Sequence, residues 1–431
     1  MKTAVRCILV ILAMVELCSP LLHAQATLLL EEPYSYDSAF AGTGHTAVYL
    51  SRICAASPVR LRRCRQGELG AVISRYHGLA GHDWIAIPLI PYLYAVEKPR
   101  DIPLYANPAL VAFLRHEYLP HLKDIATRDS MEGEPVGPWY ELIGSAYDRT
   151  LYGFQMATTP EQDDALIKKL NSSPNREAYN LLRRNCADFS KDIINFYYPK
   201  ATHRSIIADL GVTTPKQVAK TLVHYSKRHS NTEMTSFIIP QVPGMKRSTR
   251  IHGVLESALF SKKYMAVLFF LHPLAIGGVE TAYVAKWHFD PAHNAMMFDV
   301  GRGIEAPLSA EERRSYQEKL DDLLASSDRV ETSPKWTEFE DNATPQLDST
   351  GCPMLQRDTN GDPVQVRLCR EGALRSDFPE LVEQLISFRL NTELKGGKPA
   401  RASQQQIEND MRLLQRVVAA EPTELAGEMQ P

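Results

Sequence analysis

At 431 residues and 44% hydrophobic content, the chain is long enough to bury a sizeable core and to form two domains. Its 48 Lys and Arg against 51 Asp and Glu leave a formal net charge of −3, which gives no support to a nucleic-acid partner. No internal repeat or long low-complexity tract is present.

Residues 1–26 read as a targeting segment, since Lys2 and Arg6 precede the apolar run Ile8 to Val15 and the small-residue pattern Ala24-Gln25-Ala26 follows. Cleavage after Ala26 would start the mature chain near Thr27, with 46 basic against 50 acidic residues, and implies export to the periplasm or beyond. Cys18 follows Glu16-Leu17 rather than small residues, which argues against lipid attachment there.

The next elements, in order, are a short strand Gly44 to Leu50, with His45, Ala47 and Tyr49 on one face, and strand-like runs Leu69 to Tyr76 and Trp84 to Leu89. Helical patterns follow from Asn107 to Lys123 and from Pro138 to Phe154. A third runs from Asn185 to Tyr198, where Cys186, Phe189, Ile193 and Phe196 share a face and Pro199 ends the helix. Together these predict an α+β domain over residues 27–230.

Residues 231–300 read as a connector holding the apolar run Tyr264 to Val284. That run has the length of a membrane span, but Pro273, Glu280 and the basic Lys262-Lys263 flank favour a buried or interfacial helix. Residues 301–431 read as a mainly helical accessory region. Capping boxes stand at Ser309 with Glu312 and at Ser403 with Gln406, and a helical stretch runs from Pro379 to Leu394.

Five of the seven cysteines lie beyond the targeting segment, so an oxidising compartment leaves one unpaired. Asn360-Gly361 is a strong hairpin signal, and pairing about it sets opposite each other residues whose numbers sum to 721, Cys352 and Cys369 among them. Alternation makes that pair non-hydrogen-bonded, with Cα atoms about 4.5 Å apart and within disulfide range. It also places Pro363 where no ladder donor is needed. Cys54 and Cys64 flank a Pro- and Arg-containing loop and form a second plausible local bridge, leaving Cys186 as the free thiol.

A cysteine nucleophile reacts as thiolate, and the first turn of a helix beside an imidazole lowers its pKa. Cys186 starts a helix whose apolar face turns the sulfur inward, and His45 stands on a strand that can meet it. Free N–H groups at the helix start, with the Asn185 side chain beside them, are candidates to hold an oxyanion. His77 is the first candidate for a third group orienting the imidazole, with His82 and Asp83 behind it. The competing interpretation is an inert core thiol beside a structural histidine. His116 with His121, and His224 with His229, have spacings compatible with metal but lack a third ligand, so no metal and no cofactor is expected.

The strand Gly44-His45-Thr46-Ala47-Val48-Tyr49, followed much later by Arg184-Asn185-Cys186-Ala187-Asp188-Phe189, resembles the circularly permuted papain-like group, in which the histidine strand precedes the cysteine helix. NlpC-type enzymes of permuted order and lecithin:retinol acyltransferase-like proteins belong to it. The Gly-His strand and Asn-Cys-Ala helix start are most similar to the periplasmic domain of Lnb-type lipoprotein N-acyltransferases. The resemblance covers about Glu31 to Pro199 and implies a permuted papain-like fold with an antiparallel sheet, Cys186 as nucleophile and His45 as base. Where that family often carries Arg three residues after the cysteine, this chain has Phe189, and of the family's multi-span membrane region only Tyr264 to Val284 could be a counterpart.

The expectation from all this is an exported thiol enzyme of acyl-transfer type. Its acyl donor would be a lipid, a lipoprotein or a peptide, and the sequence leaves open both a soluble chain and one seated on a membrane leaflet. A cell-wall peptide or amide hydrolase is the alternative within the same chemistry. An inactive exported binding or scaffold protein is the alternative outside it.

Overall fold

The computed structural model describes residues 24–34, 43–77, 81–123, 142–229, 232–254, 289–305 and 333–369, apart from positions inside these stretches that include 359–362, together with scattered positions elsewhere. An eight-stranded sheet dominates it. In chain order its strands are β1 (Ala24–Glu31), β2 (His45–Leu50), β5 (Ala71–Ser74), β6 (Ile85–Pro88), β7 (Leu151–Thr158), β8 (Thr235–Ile239), β9 (Met296–Asp299) and β10 (Gly303–Glu305). Across the sheet they run β10-β9-β8-β7-β1-β2-β5-β6, antiparallel throughout except for the parallel pair β8 and β9. The fold class is therefore α+β with an antiparallel-dominated sheet.

Both faces of the sheet are covered. The helices α1 (Leu89–Tyr94), α2 (Pro108–Tyr118) and α3 (Ser145–Asp148) pack on the face that carries Leu29, Ala47, Tyr49 and Val72. On the other face, bearing Leu28, Leu30, Val48, Leu50 and Phe154, lie α4 (Pro160–Ser172), α5 (Cys186–Tyr197) and α6 (Pro215–Arg228). Two-sided burial explains the unbroken Leu28-Leu29-Leu30 of β1: no face is left for polar alternation. Side chains start most of these helices. Asn107 accepts from Leu110 N at 2.8 Å, and Thr159 and Gln162 form a full capping box.

Residues 53–63 form a hairpin, β3 (Ile53–Ser57) with β4 (Arg60–Arg63), rather than a loop, and the Cys54–Cys64 disulfide closes it with Cα atoms 4.9 Å apart. The second disulfide, Cys352–Cys369, also exists, with a Cα separation of 5.5 Å. Its strands β12 (Pro353–Arg357) and β13 (Val364–Arg367) pair Met354 with Arg367 through Arg357 with Val364, the register expected from the turn, while the turn residues 359–362 lie outside the described residues. The hairpin gains a third strand, β11 (Thr344–Leu347), preceded by α7 (Ser333–Asn342). Proline 353 has no N–H to give Leu368 O, and that carbonyl instead accepts from Leu104 N at 2.8 Å. The hairpin thereby docks on the main core, where Leu355, Val366 and Leu368 are fully buried.

One expectation is corrected. Pro138 to Phe154 is not one helix: its residues before 142 lie outside the described set, α3 is a single turn, and Leu151 begins a strand between β1 and β8. Gly144 at φ +73° breaks any helix there, and Gly153 is needed under the Phe237 ring, which a Cβ would meet at 2.2 Å. Within residues 231–300 lie β8 and β9, and β10 follows at 303–305, all three in the same sheet as β1 and β2. Tyr264 to Val284, Pro379 to Leu394 and Ser403 with Gln406 lie outside the described residues; residues 310 and 311, directly after Ser309, are helical, and Glu312 is outside. No helix among the described residues is long and apolar enough to cross a membrane.

Candidate functional site

The site begins at the start of α5. Asn185 is its N-cap: its Oδ1 accepts from Asp188 N at 2.9 Å, and the Asp188 carboxylate accepts from Asn185 N at 3.4 Å. The remaining Asn185 donors go to Leu181 O at 2.9 Å and Thr213 O at 3.0 Å. Every polar atom of that side chain is thus occupied in fixing the helix start, and oxyanion donors must come from the backbone. Cys186 follows as the first helical residue, 8% exposed and the free cysteine among the described residues. Its sulfur is faced by the N–H groups of Thr46, Ala187 and Cys186 itself.

His45 is the first residue of β2, directly opposite Glu31 on β1. Gly44 lets the chain enter there at φ +72°, where a Cβ would sit 2.2 Å from Glu31 O. The imidazole stacks on Tyr76, with centroids 4.8 Å apart and planes at 22°. Its Nε2 lies 2.9 Å from Ser74 Oγ, and that hydroxyl in turn donates to Thr46 O at 2.9 Å. No hydrogen bond joins His45 to Cys186 among the described residues; the two are brought together through the Thr46 amide, next in sequence to the histidine and facing the sulfur. Beneath them Glu31, 1% exposed, accepts from Tyr92 Oη and sits 3.5 Å from Arg149 Nη1, whose guanidinium lies 4.2 Å over the Tyr34 ring.

Electrostatics here run against the expectation from sequence. Burial, with a further push from Glu31, raises the Cys186 thiol to about 11, and the surrounding N–H groups offset only part of this. Burial, and then Arg149, lowers the His45 imidazole to about 3. The helix start does stabilise a thiolate, but desolvation outweighs it. At neutral pH the pair rests as thiol and neutral imidazole.

The other candidates for the third group lie elsewhere. His77 is exposed and meets the Tyr179 ring edge-on at 5.4 Å. Asp83 is held by two arginines, with Arg75 Nε at 2.7 Å from Oδ1 and Arg184 Nη2 at 2.8 Å from Oδ2. Arg75 also reaches Asn185 O at 3.4 Å and covers the Phe189 ring at 5.1 Å, so this clamp steadies the approach to Cys186. His82 is half-buried beside it. Sequence reasoning passed over Ser74 and Tyr76, although both lie at alternate positions within the strand-like run Leu69 to Tyr76, and over Glu31 and Arg149, which only tertiary pairing brings in.

Among the described residues, the one grouping of metal-ligating side chains is Cys54, Cys64 and Glu68. Both of its sulfurs are tied up in the disulfide and offer no thiolate. His121 instead pairs with Glu97 at 3.3 Å, and His229 stacks on Tyr225 with centroids 4.0 Å apart.

No family model matches this chain, and no curated protein matches it. Among solved structures, a Type VI secretion system effector, TseH, is similar at 13% identity over 50% of this chain and 93% of that one, with a TM-score of 0.23. A score that low carries no argument about fold or function.

Proposed function

We propose that this chain is a cysteine-dependent enzyme of acyl-transfer type, with Cys186 as nucleophile and His45 as general base. The observation that carries the proposal is the placement of an unpaired thiol at the first residue of α5, faced by three backbone N–H groups, one of them belonging to the residue after His45. Cys186 Sγ attacks a carbonyl carbon while its proton passes to His45, and the N–H groups of the helix start receive the oxyanion. As the tetrahedral intermediate collapses, the bond to the leaving group breaks and His45 returns the proton to it, leaving a thioester on Cys186. Water or an amine then attacks the thioester while His45 accepts its proton; the C–S bond breaks, the acylated product leaves, and His45 returns the proton to the Cys186 sulfur. With both groups neutral at rest, proton transfer accompanies attack.

A lipid or lipoprotein acyl donor is favoured by Leu181 and Leu182, 52% and 60% exposed on the turn that leads into Cys186. That turn is closed by Asn180 N to Arg184 O at 3.1 Å and Arg184 N to Asn180 O at 2.8 Å, so the two leucines are held exposed on the turn that leads into Cys186. Cell-wall amide hydrolysis uses the same centre on a different acyl group. The two disulfides support an oxidising, exported setting, and the periplasm is the compartment we propose.

The test is to incubate the oxidised protein with a short-chain and a long-chain acyl thioester and to read intact mass. An acyl adduct on Cys186, absent in Cys186→Ala and strongly slowed in His45→Ala, is the expected result. No adduct from either thioester or from an activated amide would make the chain a binding protein on this fold.

A further inference from the structure

We infer that Ser74 is the residue that positions the proposed base, fixing the His45 tautomer so that Nδ1 is the atom that takes the Cys186 proton. This rests on the dyad proposed above and specifies how it is set.

The argument is one of hydrogen counting. Ser74 Oγ has a single hydrogen and two close neighbours, Thr46 O at 2.9 Å and His45 Nε2 at 2.9 Å. A backbone carbonyl oxygen only accepts, so the hydrogen lies between Ser74 Oγ and Thr46 O. The serine oxygen is then an acceptor toward the ring, and Nε2 must carry the N–H that reaches it. A neutral imidazole protonated at Nε2 presents its bare lone pair at Nδ1. Ser74 is 1% exposed, so no water competes for this chain of bonds. Tyr76, two residues further on, holds the plane of the ring by stacking at 4.8 Å. The pair Ser74 and Tyr76 thus fixes both the protonation site and the orientation, as a third polar group does in catalytic triads in general. Neither His77, which is exposed, nor Asp83, which is taken by Arg75 and Arg184, makes a hydrogen bond to the ring.

The experiment is long-range 1H–15N correlation NMR of histidine-labelled protein at neutral pH, read at His45 in the wild type, Ser74→Ala and Ser74→Thr. Acylation of Cys186 by an activated thioester is measured in parallel. The wild type is expected to show the Nε2–H form, Ser74→Ala a mixture with slower acylation by about 10²-fold, and Ser74→Thr recovery of both. An Nδ1–H ring in the wild type overturns the inference without need of any variant. So does a Ser74→Ala protein with the wild-type tautomer and rate. Failure of the dyad itself has a separate signature, acylation that is insensitive to His45→Ala whatever the tautomer.

Discussion

The resting state of the thiol is open to direct measurement. With the Cys186 pKa pushed up to about 11, the thiolate is only about 10⁻⁴ of the population at pH 7. An unperturbed cysteine with a pKa of about 8.5 holds about 3% as thiolate at that pH. Alkylation by iodoacetamide follows the thiolate, so Cys186 should react a few hundred-fold more slowly than a free cysteine at pH 7, and its rate should climb about tenfold per pH unit up to pH ~10. His45→Ala should leave this profile nearly unchanged, because the imidazole, lowered to about 3, carries no charge with which to hold a thiolate. The assay is a stopped-time alkylation series from pH 5 to 10, quantified by mass at Cys186. A fast plateau from mildly acidic pH upward that disappears in His45→Ala would mean that the pair rests as thiolate and imidazolium. It would refute the claim that burial dominates this site.

The remaining predictions concern stability and backbone fit. The unfolded chain binds a proton on His45 below about 6.5 that the folded protein refuses until about 3, so stability should fall as pH drops through that window and level off beneath it. In the alkaline range the unfolded thiol ionises from about 8.5 while the folded one keeps its proton to about 11, so stability should also fall as pH rises across that interval. Urea midpoints against pH check both limbs: His45→Gln should flatten the first and Cys186→Ser the second, and limbs unchanged by these variants would contradict the shifts. Gly44→Ala and Gly67→Ala form a matched pair, since both glycines have positive φ, +72° and +86°, but only at Gly44 would the Cβ strike backbone, at 2.2 Å from Glu31 O. Chemical denaturation should show about 1 kcal/mol lost at Gly67 and markedly more at Gly44, with acylation impaired only by the latter; equal losses would remove Gly44 from any role in seating His45.

What could be read from the chain and what could not divides along physical lines. The α5 helix is legible because its apolar face of period 3.6, Cys186, Phe189 and Ile193, lies in one short segment that Pro199 ends, whereas the Asn185–Asp188 capping box that starts it emerges only from the structure. The Cys352–Cys369 register was legible because a two-residue turn fixes every pairing outward from it. β1 and β7 are not legible because strands buried on both faces lose the alternation that betrays a strand, and the start of β7 reads as the end of a helix. The thiol's electrostatics were misjudged because a helix start is visible in sequence, whereas the desolvation that overrides it comes from β1, β2 and their neighbours. Ser74 escaped notice for a related reason. Its importance lies in a contact with His45 across the sheet, and a serine ending a strand looks like nothing more than a strand end.

The position of β1 in the sheet also bears on how the molecule is made. It lies between β2, which follows it closely, and β7, at residues 151–158, which does not yet exist when β1 leaves the ribosome. Until that partner arrives, a strand carrying Leu28, Leu29 and Leu30 has one edge unpaired and both faces bare, which is the profile of a segment that associates with other chains. Assembly of the centre of the sheet therefore waits on a long-range closure and should be slow. Full-length product should need protection during synthesis, and chains truncated before residue 151 should aggregate rather than accumulate as a stable fragment.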